Sequence, residues 1–503
     1  MTDRDRHEAC PSCFARTSSL CLGVESTSSF NRAAAVAKEV RMSDQPSRKT
    51  FRARLDHMTA TLRGDIVTGK LRPGDFLPSE RDMTKQFRLS NKLVRAALER
   101  LVEEGLIEKI PRVGNRIADR LPDLAVTLKF GYHASLARDA ELARLLDDFH
   151  LAHPSIRVQP IPIAFDHYAE TVDSYIENGL LDVVSMNYNN FYEFRARGRL
   201  DLLQPLAADE GAYPFLNDAF TFEGKQYVRP FVFSPLVLCY NIDHLEEAGL
   251  PVPYRPDGWR TLLGDASRLT VENERFGFYF FLHSKNRWPV FVLQSGLGED
   301  AAASASDDPE RFAARITEGL NLCREIIYAP NAFPTFLSGS DADAEELFAQ
   351  RKVSIIMTSY LSLNALRESD IRYDVVPLPV WREDATILMA IGLAVGARSE
   401  AKAAATAFVE FMTSERAQQA LRSHTLSIPA HARAAEREGA ETMYRPPGYR
   451  RFKEMIPSMR LFTDMNVSPD KMNAIMNEAK LYWAKLQSET GMRRKIADLL
   501  RGG

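Results

Sequence analysis

The sequence predicts a multidomain protein, with a small α+β head of three helices and a β-hairpin ahead of a large α/β body. Its 503 residues exceed what one ordinary hydrophobic core accommodates, so two or three domains are expected. Charge is distributed unevenly: residues 47–121 hold 17 Lys+Arg against 10 Asp+Glu, residues 1–46 are neutral, and the remainder carries −10 of the net −3. The apolar pattern also changes, from helical spacing closed by a hairpin to strand–helix–strand alternation after residue 121. A basic head on an acidic body points to a polyanion-binding module joined to a part with a different task. The expected boundaries are 1–46, 47–121 and 122–503.

An apolar content of 45% with 26% charged residues is that of a globular chain in water. No apolar run reaches 18 residues, so no membrane span is expected. The short apolar patch at Leu20–Val24 lacks the length and cleavage site of a secretory signal, and a cytoplasmic location is expected. Cys10, Cys13 and Cys21 lie near His7 but lack the second paired cluster of a structural metal site. Residues 1–46 read as a disordered leader, with Met42 as an alternative start. No metal and no cofactor is expected.

In the head, Leu55, Met58, Leu62 and Ile66 recur at helical spacing, and Gly69 is a stop. Leu71-Arg72-Pro73-Gly74-Asp75 is a turn. Ser79 caps a second helix with Met83 and Phe87 inward. Ser90 caps a third, buried through Val94, Ala97, Leu98 and Leu101 and ended by Gly105. Leu106–Ile110 and Arg116–Ala118 are short strands, completing a winged helix-turn-helix. The third helix leaves Asn91, Lys92 and Arg95 exposed near its start, where a recognition helix meets base edges. Arg81, Arg112 and Arg116 are placed for phosphate or groove contacts.

The run Leu71-Arg72-Pro73-Gly74-Asp75-Phe76-Leu77-Pro78-Ser79-Glu80-Arg81, with Phe87, Leu89-Ser90, Val94–Leu98 and Glu104–Ile107, resembles the GntR family of regulators. The resemblance implies DNA contacts at Arg81, Asn91, Lys92, Arg95 and the wing tip around Gly114. It also implies a homodimer on palindromic operator DNA. Asn91 stands where a basic residue is usual and Arg112 where the wing's first glycine is usual, so the base preference is expected to differ.

In the body, Leu124–Gly131, Ile156–Ile163 and Asp182–Met186 read as strands, and Leu136–Phe149 and Tyr168–Ile176 as helices. This alternation means a parallel sheet that binds ligands past the carboxyl ends of its strands, at Tyr132-His133 and Asn187–Asn190. A series of short motifs follows, from Gly198-x-Leu200-x-x-Leu203-x-Pro205-Leu206 through Phe222–Phe231, Tyr240-Asn241 and Glu247–Pro251 to Val376–Pro379 and Ala407–Met412. Their order and spacing resemble the family 1 extracellular solute-binding proteins, the carbohydrate-receptor class of ABC importers. Tyr240-Asn241-Ile242 departs from that family's Tyr-Asn-Lys. The resemblance implies two α/β lobes of the periplasmic-binding-protein type closing on a carbohydrate. The ligand residues expected on that basis are Tyr188, Asn189, Phe231, Trp288, Tyr360 and Trp381. Each aromatic among them could equally fill a core.

The reading that follows is a non-enzymatic regulator whose operator affinity responds to a sugar or oligosaccharide. One alternative is an exported transport receptor, disfavoured by the head and the missing signal. Another is an aminotransferase-like body holding pyridoxal phosphate on a lysine, whose active-site run is not visible. A third is a body that only dimerises. No Gly-x-Ser-x-Gly, His-Glu-x-x-His or phosphate-cradling glycine loop is present, and no catalytic residue is expected.

Overall fold

The computed structural model describes residues 55, 58–59, 61–63, 65–66, 71–111, 113–119, 126–165, 167–297, 305, 307–334, 339–437 and 443–502. Residues 1–46, with their cysteines, His7 and Met42, lie outside the described residues, as does Arg112. The described residues fall into two compact units, a smaller one holding Leu55, Met58 and Glu80–Ala97 and a larger one holding those of 59–79 and 98–502.

The smaller unit holds helix α1 (Glu80–Phe87) and the start of α2 (Asn91–Glu103). Helix α1 opens directly after Ser79. Ser90 begins α2 as expected, its carbonyl accepting the Leu93 and Val94 N–H groups at 3.0 Å. Between the helices the Leu89 N–H returns to the Thr84 carbonyl, and Arg88 takes a left-handed φ of 51°. Met83, Val94 and Ala97 are buried, whereas Phe87 is half-buried.

In the larger unit, the hairpin pairs β1 (Ile107–Ile110) with β2 (Gly114–Ile117), Ile107 opposite Ile117. Arg63 lies on the helical segment that holds the buried Leu62 and Ile66. Its guanidinium donates to both carboxylate oxygens of Glu104, at 2.6 and 2.9 Å, and to Asp147 at 2.7 Å.

Body strands β3 (Val126–His133), β4 (Ile156–Ile163) and β5 (Val183–Asn187) form the parallel sheet read from the sequence, in the order β4-β3-β5. Strand β4 is at the edge, which accommodates Pro160 and Pro162 without losing a ladder donor. The helix expected over Leu136–Phe149 is broken into Leu136–Asp139 and α3 (Leu142–Ala152), with Glu141 at φ 49° between them. Leu136 and Leu142 are both buried, yet six residues along one straight helix would put them roughly 120° apart. Breaking the helix lets both face the core.

The two lobes share strand β6 (Arg229–Asn241), buried along its length except at Arg229. Strand β10 (Thr386–Val395) pairs with the first half of β6 and with β5, closing the first lobe's sheet. The second half pairs with β8 (Val353–Ser359) on one side and β9 (Tyr373–Pro377) on the other. Strand β7 (Phe276–Tyr279) extends that sheet in parallel with β8. At the changeover the Thr386 hydroxyl accepts the Leu236 N–H and donates to the Leu236 carbonyl, each at 3.1 Å. Helix α6 (Pro309–Ile327) and the C-terminal α8 (Pro469–Trp483) and α9 (Glu489–Arg501) pack together on the second lobe, while α4 (Tyr168–Glu177), α5 (Tyr188–Ala196) and α7 (Lys402–Thr413) belong to the first.

Behind the carboxyl ends of β3 and β5, His133 is fully buried. Its Nδ1 lies 2.7 Å from Ser185 Oγ, its Nε2 lies 3.0 Å from Asn190 Oδ1, and its ring stacks on Tyr168 at 3.7 Å. Burial drives its pKa down to about 4, against a weaker opposing pull from Asn190. The unfolded chain therefore binds more protons than the folded one between the ordinary histidine value of 6.5 and about 4. This contribution to stability is complete above that window and declines as pH falls through it. Calorimetry from pH 7.5 to 4.5 should show a falling melting temperature, and His133→Gln should flatten the fall; an unaltered slope would assign it to other groups. A second prediction concerns Gly277 on β7. A Cβ there would sit 1.8 Å from the Ala266 carbonyl oxygen, so Gly277→Ala should lower stability by about 1–3 kcal/mol or more in a thermal melt.

Candidate functional site

A cavity of about 210 Å³ opens between the first turns of α5, the segment His283–Pro289 and one face of α8. Helix α5 starts where it does because the Asn187 side chain accepts the Asn190 N–H at 2.9 Å, capping it. This places Asn189 and Glu193 one turn apart, both on the cavity wall. On the opposite side Ser468 caps α8, accepting from the Lys471 N–H. Met472, Asn473, Met476, Asn477 and Lys480 then share one helical face toward the cavity. Helix α8 is anchored from behind: the Trp483 indole donates to the Leu320 carbonyl at 3.0 Å, and the Tyr482 hydroxyl donates to Asn321 at 2.6 Å.

Trp288, Pro289, Phe462, Met472 and Met476 supply apolar wall, and Asn189, Asn473 and Asn477 supply amides. An apolar lining with a few placed polar groups suits a polyhydroxylated ligand. The Trp288 indole N–H is buried and has no partner among the described residues. Burial raises the pKa of the Glu193 carboxyl, outweighing the pull of Arg197. Burial, then Lys480, lowers that of His283. Beneath the site Arg287 is buried, its nearest carboxylate among the described residues being Asp341 at 3.9 Å.

Of the six ligand residues expected from sequence, the structure brings Asn189 and Trp288 to this cavity. Tyr188 is buried alongside, its hydroxyl 2.6 Å from Thr463 Oγ1. Phe231 lies in the core of the first lobe. Tyr360 is fully buried, donating to the Tyr449 carbonyl at 2.9 Å and meeting that ring edge-on. Trp381 packs partly buried on the main core, with the Arg382 guanidinium 5.2 Å from its ring. Sequence reasoning missed Glu193, Lys285, Asn473, Asn477 and Lys480. The four-residue step from Asn189 could have shown the first, and the Asn473-Asn477-Lys480 face the last three.

In the smaller unit, Arg81, Asn91, Lys92 and Arg95 are all exposed. Asn91 accepts from the Thr84 hydroxyl at 2.9 Å, and Arg95 Nε donates to Glu80 at 2.8 Å. In the hairpin, Gly114 is exposed with φ of 141°, which favours glycine, and Arg116 pairs with Asp119 and Glu108 at 2.6 and 3.2 Å. Among the described residues no group of three or more His, Cys, Asp or Glu could hold a metal, and no helix is long and apolar enough to cross a membrane. Cys239 and Cys323 are buried, which pushes both thiols up.

Residues 56–117 match the bacterial regulatory proteins of the gntR family, and residues 144–444 match the bacterial extracellular solute-binding proteins. A mannitol-binding protein of Pseudomonas aeruginosa is 23% identical over 291 residues, 54% of this chain and 66% of the relative. The mannosyl-D-glycerate transport/metabolism system repressor MngR of Escherichia coli is 38% identical over 58 residues, 12% of this chain and 24% of the relative. The chain thus spans less than two thirds of either relative's length. Among solved structures, a solute-binding protein from Thermotoga lettingae bound with α-D-tagatose has a TM-score of 0.63 at 17% identity, covering 75% of this chain and 98% of that one. An ABC substrate-binding protein from Listeria monocytogenes in complex with cycloalternan has a TM-score of 0.61 at 19% identity, covering 75% and 98%. These likenesses show the two-lobed α/β fold. With more than half of its length matched, the chain belongs to the bacterial extracellular solute-binding protein family, and it carries a gntR-family regulatory domain ahead of the solute-binding body.

Proposed function

We propose that this protein is a cytoplasmic, sequence-specific transcriptional regulator whose operator affinity changes when a sugar or related polyol occupies the body's cavity. The observation that carries the reading is the union, in one polypeptide, of a gntR-family domain with a solute-binding body whose cavity is walled by amides and a tryptophan. The names of the relatives, a mannitol-binding protein and a repressor of a mannosylglycerate system, support a carbohydrate effector.

In this reading Asn91, Lys92 and Arg95 enter the major groove, Arg95 exchanging Glu80 for a base edge or phosphate. Arg81 contacts backbone or base, and the hairpin with Arg112, Gly114 and Arg116 forms the wing. A homodimer places two such heads on a palindromic site. Asn189 and Trp288 touch the effector and Tyr188 braces α5, while Phe231, Tyr360 and Trp381 set the shape of the lobes. Arg63 supports a route between the two activities, since it holds Glu104, next to the end of α2, and Asp147 on α3 of the body.

Fluorescence anisotropy with DNA from the gene's own promoter tests the reading. Arg95→Ala should weaken operator binding by about 1–3 kcal/mol, and unchanged affinity would remove Arg95 from the interface. An effector sugar should shift operator affinity, and DNA must shift sugar affinity by the same factor. A body that serves only in dimerisation would show neither shift. Arg63→Gln should retain sugar binding and operator binding but shrink the shift of one by the other; full coupling in that variant would exclude this route.

A further inference from the structure

The cavity walls carry unbalanced charge. Lys285 and Lys480 both line it and are exposed; neither forms an ion pair among the described residues, though Glu193 feels the charge of Lys285. Glu193 is the one carboxylate among the lining residues. At about 210 Å³ the space falls below the roughly 300–1,000 Å³ of sites that enclose drug-sized ligands. So small a space favours one sugar ring in its enclosed part, the rim residues His283, Lys285, Asn473, Asn477 and Lys480 being exposed.

We propose that the solute taken here is an anionic monosaccharide derivative, a single hexose-sized polyol bearing a carboxylate or phosphate, with the amides of Asn189, Asn473 and Asn477 on its hydroxyls and the ammonium groups of Lys285 and Lys480 on its anionic end. The inference rests on the reading of the body as a solute sensor and narrows it by charge and size. The two exposed ammonium groups outnumber the one lining carboxylate, Glu193, which feels the charge of Lys285, so the lining carries a net positive charge that an anion offsets and a neutral sugar does not. Trp288 contributes apolar lining although it is only 1% exposed, and its buried indole N–H has no partner among the described residues. Glu193, one helical turn from Asn189 and within electrostatic reach of Lys285, is available to accept from a ligand hydroxyl.

Isothermal titration of the full-length protein with D-glucuronate, D-gluconate, D-glucose 6-phosphate, D-glucose, D-mannitol and maltotriose tests this. At least one anion should bind about tenfold or more tighter than its neutral counterpart, equivalent to about 1.4 kcal/mol. The preference should shrink between about 50 and 300 mM salt through screening. Lys480→Met and Lys285→Met should erase the preference, lowering anion affinity about tenfold or more relative to the affinity for the neutral sugar in the same variant. The carboxylates and the phosphate ester identify which anion is preferred. Neutral probes binding as tightly as the anions, or lysine variants that keep the preference, would overturn the proposal while the sensor reading stands. Binding by none of the six would overturn both.

Discussion

Strand β6 runs from Arg229 to Asn241 through both sheets of the body, and the remaining architecture is arranged around it. Its first half can pair only within the first lobe and its second half only within the second, because β10 occupies one stretch and β8 and β9 the other. A strand buried on both faces must be apolar throughout, and Phe231 to Tyr240 is nearly so. Where the pairing changes, Ser234 accepts the Tyr360 N–H at 2.8 Å and Thr386 closes on Leu236. One continuous element therefore sets the spacing of the lobes, and with it the distance from α5 to the His283–Pro289 segment.

Buried amides perform similar work further out. Gln294 accepts the Trp259 indole N–H at 2.8 Å and donates to the carbonyls of Pro379 and Ala385 at 3.0 Å. Leaving any of these groups unpaired in so dry a location would cost about 1–3 kcal/mol, so the loops are held in one arrangement beside the helix that follows Trp288. In the first lobe the His133–Ser185–Asn190 cluster does the same beneath Asn189. The Gln294 and His133 clusters behind the cavity are well bonded, whereas the exposed Lys285 and Lys480 at the cavity form no ion pair among the described residues. That contrast between a bonded support and a charged, exposed surface supports the proposal of a ligand there.

Much of the scaffold was legible in the sequence. Ser90 with its buried stripe, Pro73-Gly74 and the alternation from Val126 to Asn187 each follow from local chemistry acting over a few residues. The break at Glu141 was less visible, because the periodicity around Leu145 and Phe149 extends smoothly back toward Leu136. At the site, Asn189 could be read because it follows a strand end in a parallel sheet. Phe231 and Tyr360 could not be sorted, since an aromatic beside a strand end has the same sequence signature whether it fills a core or faces a cleft. The α8 wall lies beyond the motifs that resemble a known family, and its polar face reads as an ordinary solvated one.

By itself the sequence determined the two kinds of module, their order, and the exposed cations Arg81, Lys92 and Arg95, because caps, turns and helical or alternating periodicity depend on neighbours within one or two turns. The tertiary structure alone decided which aromatics are core and which are wall. It also decided that Asn473, Asn477 and Lys480 share a cavity with Asn189, nearly three hundred residues earlier. Such pairings depend on how β6 sets the lobes and how α8 packs on α6, and no local pattern encodes a contact between segments so far apart.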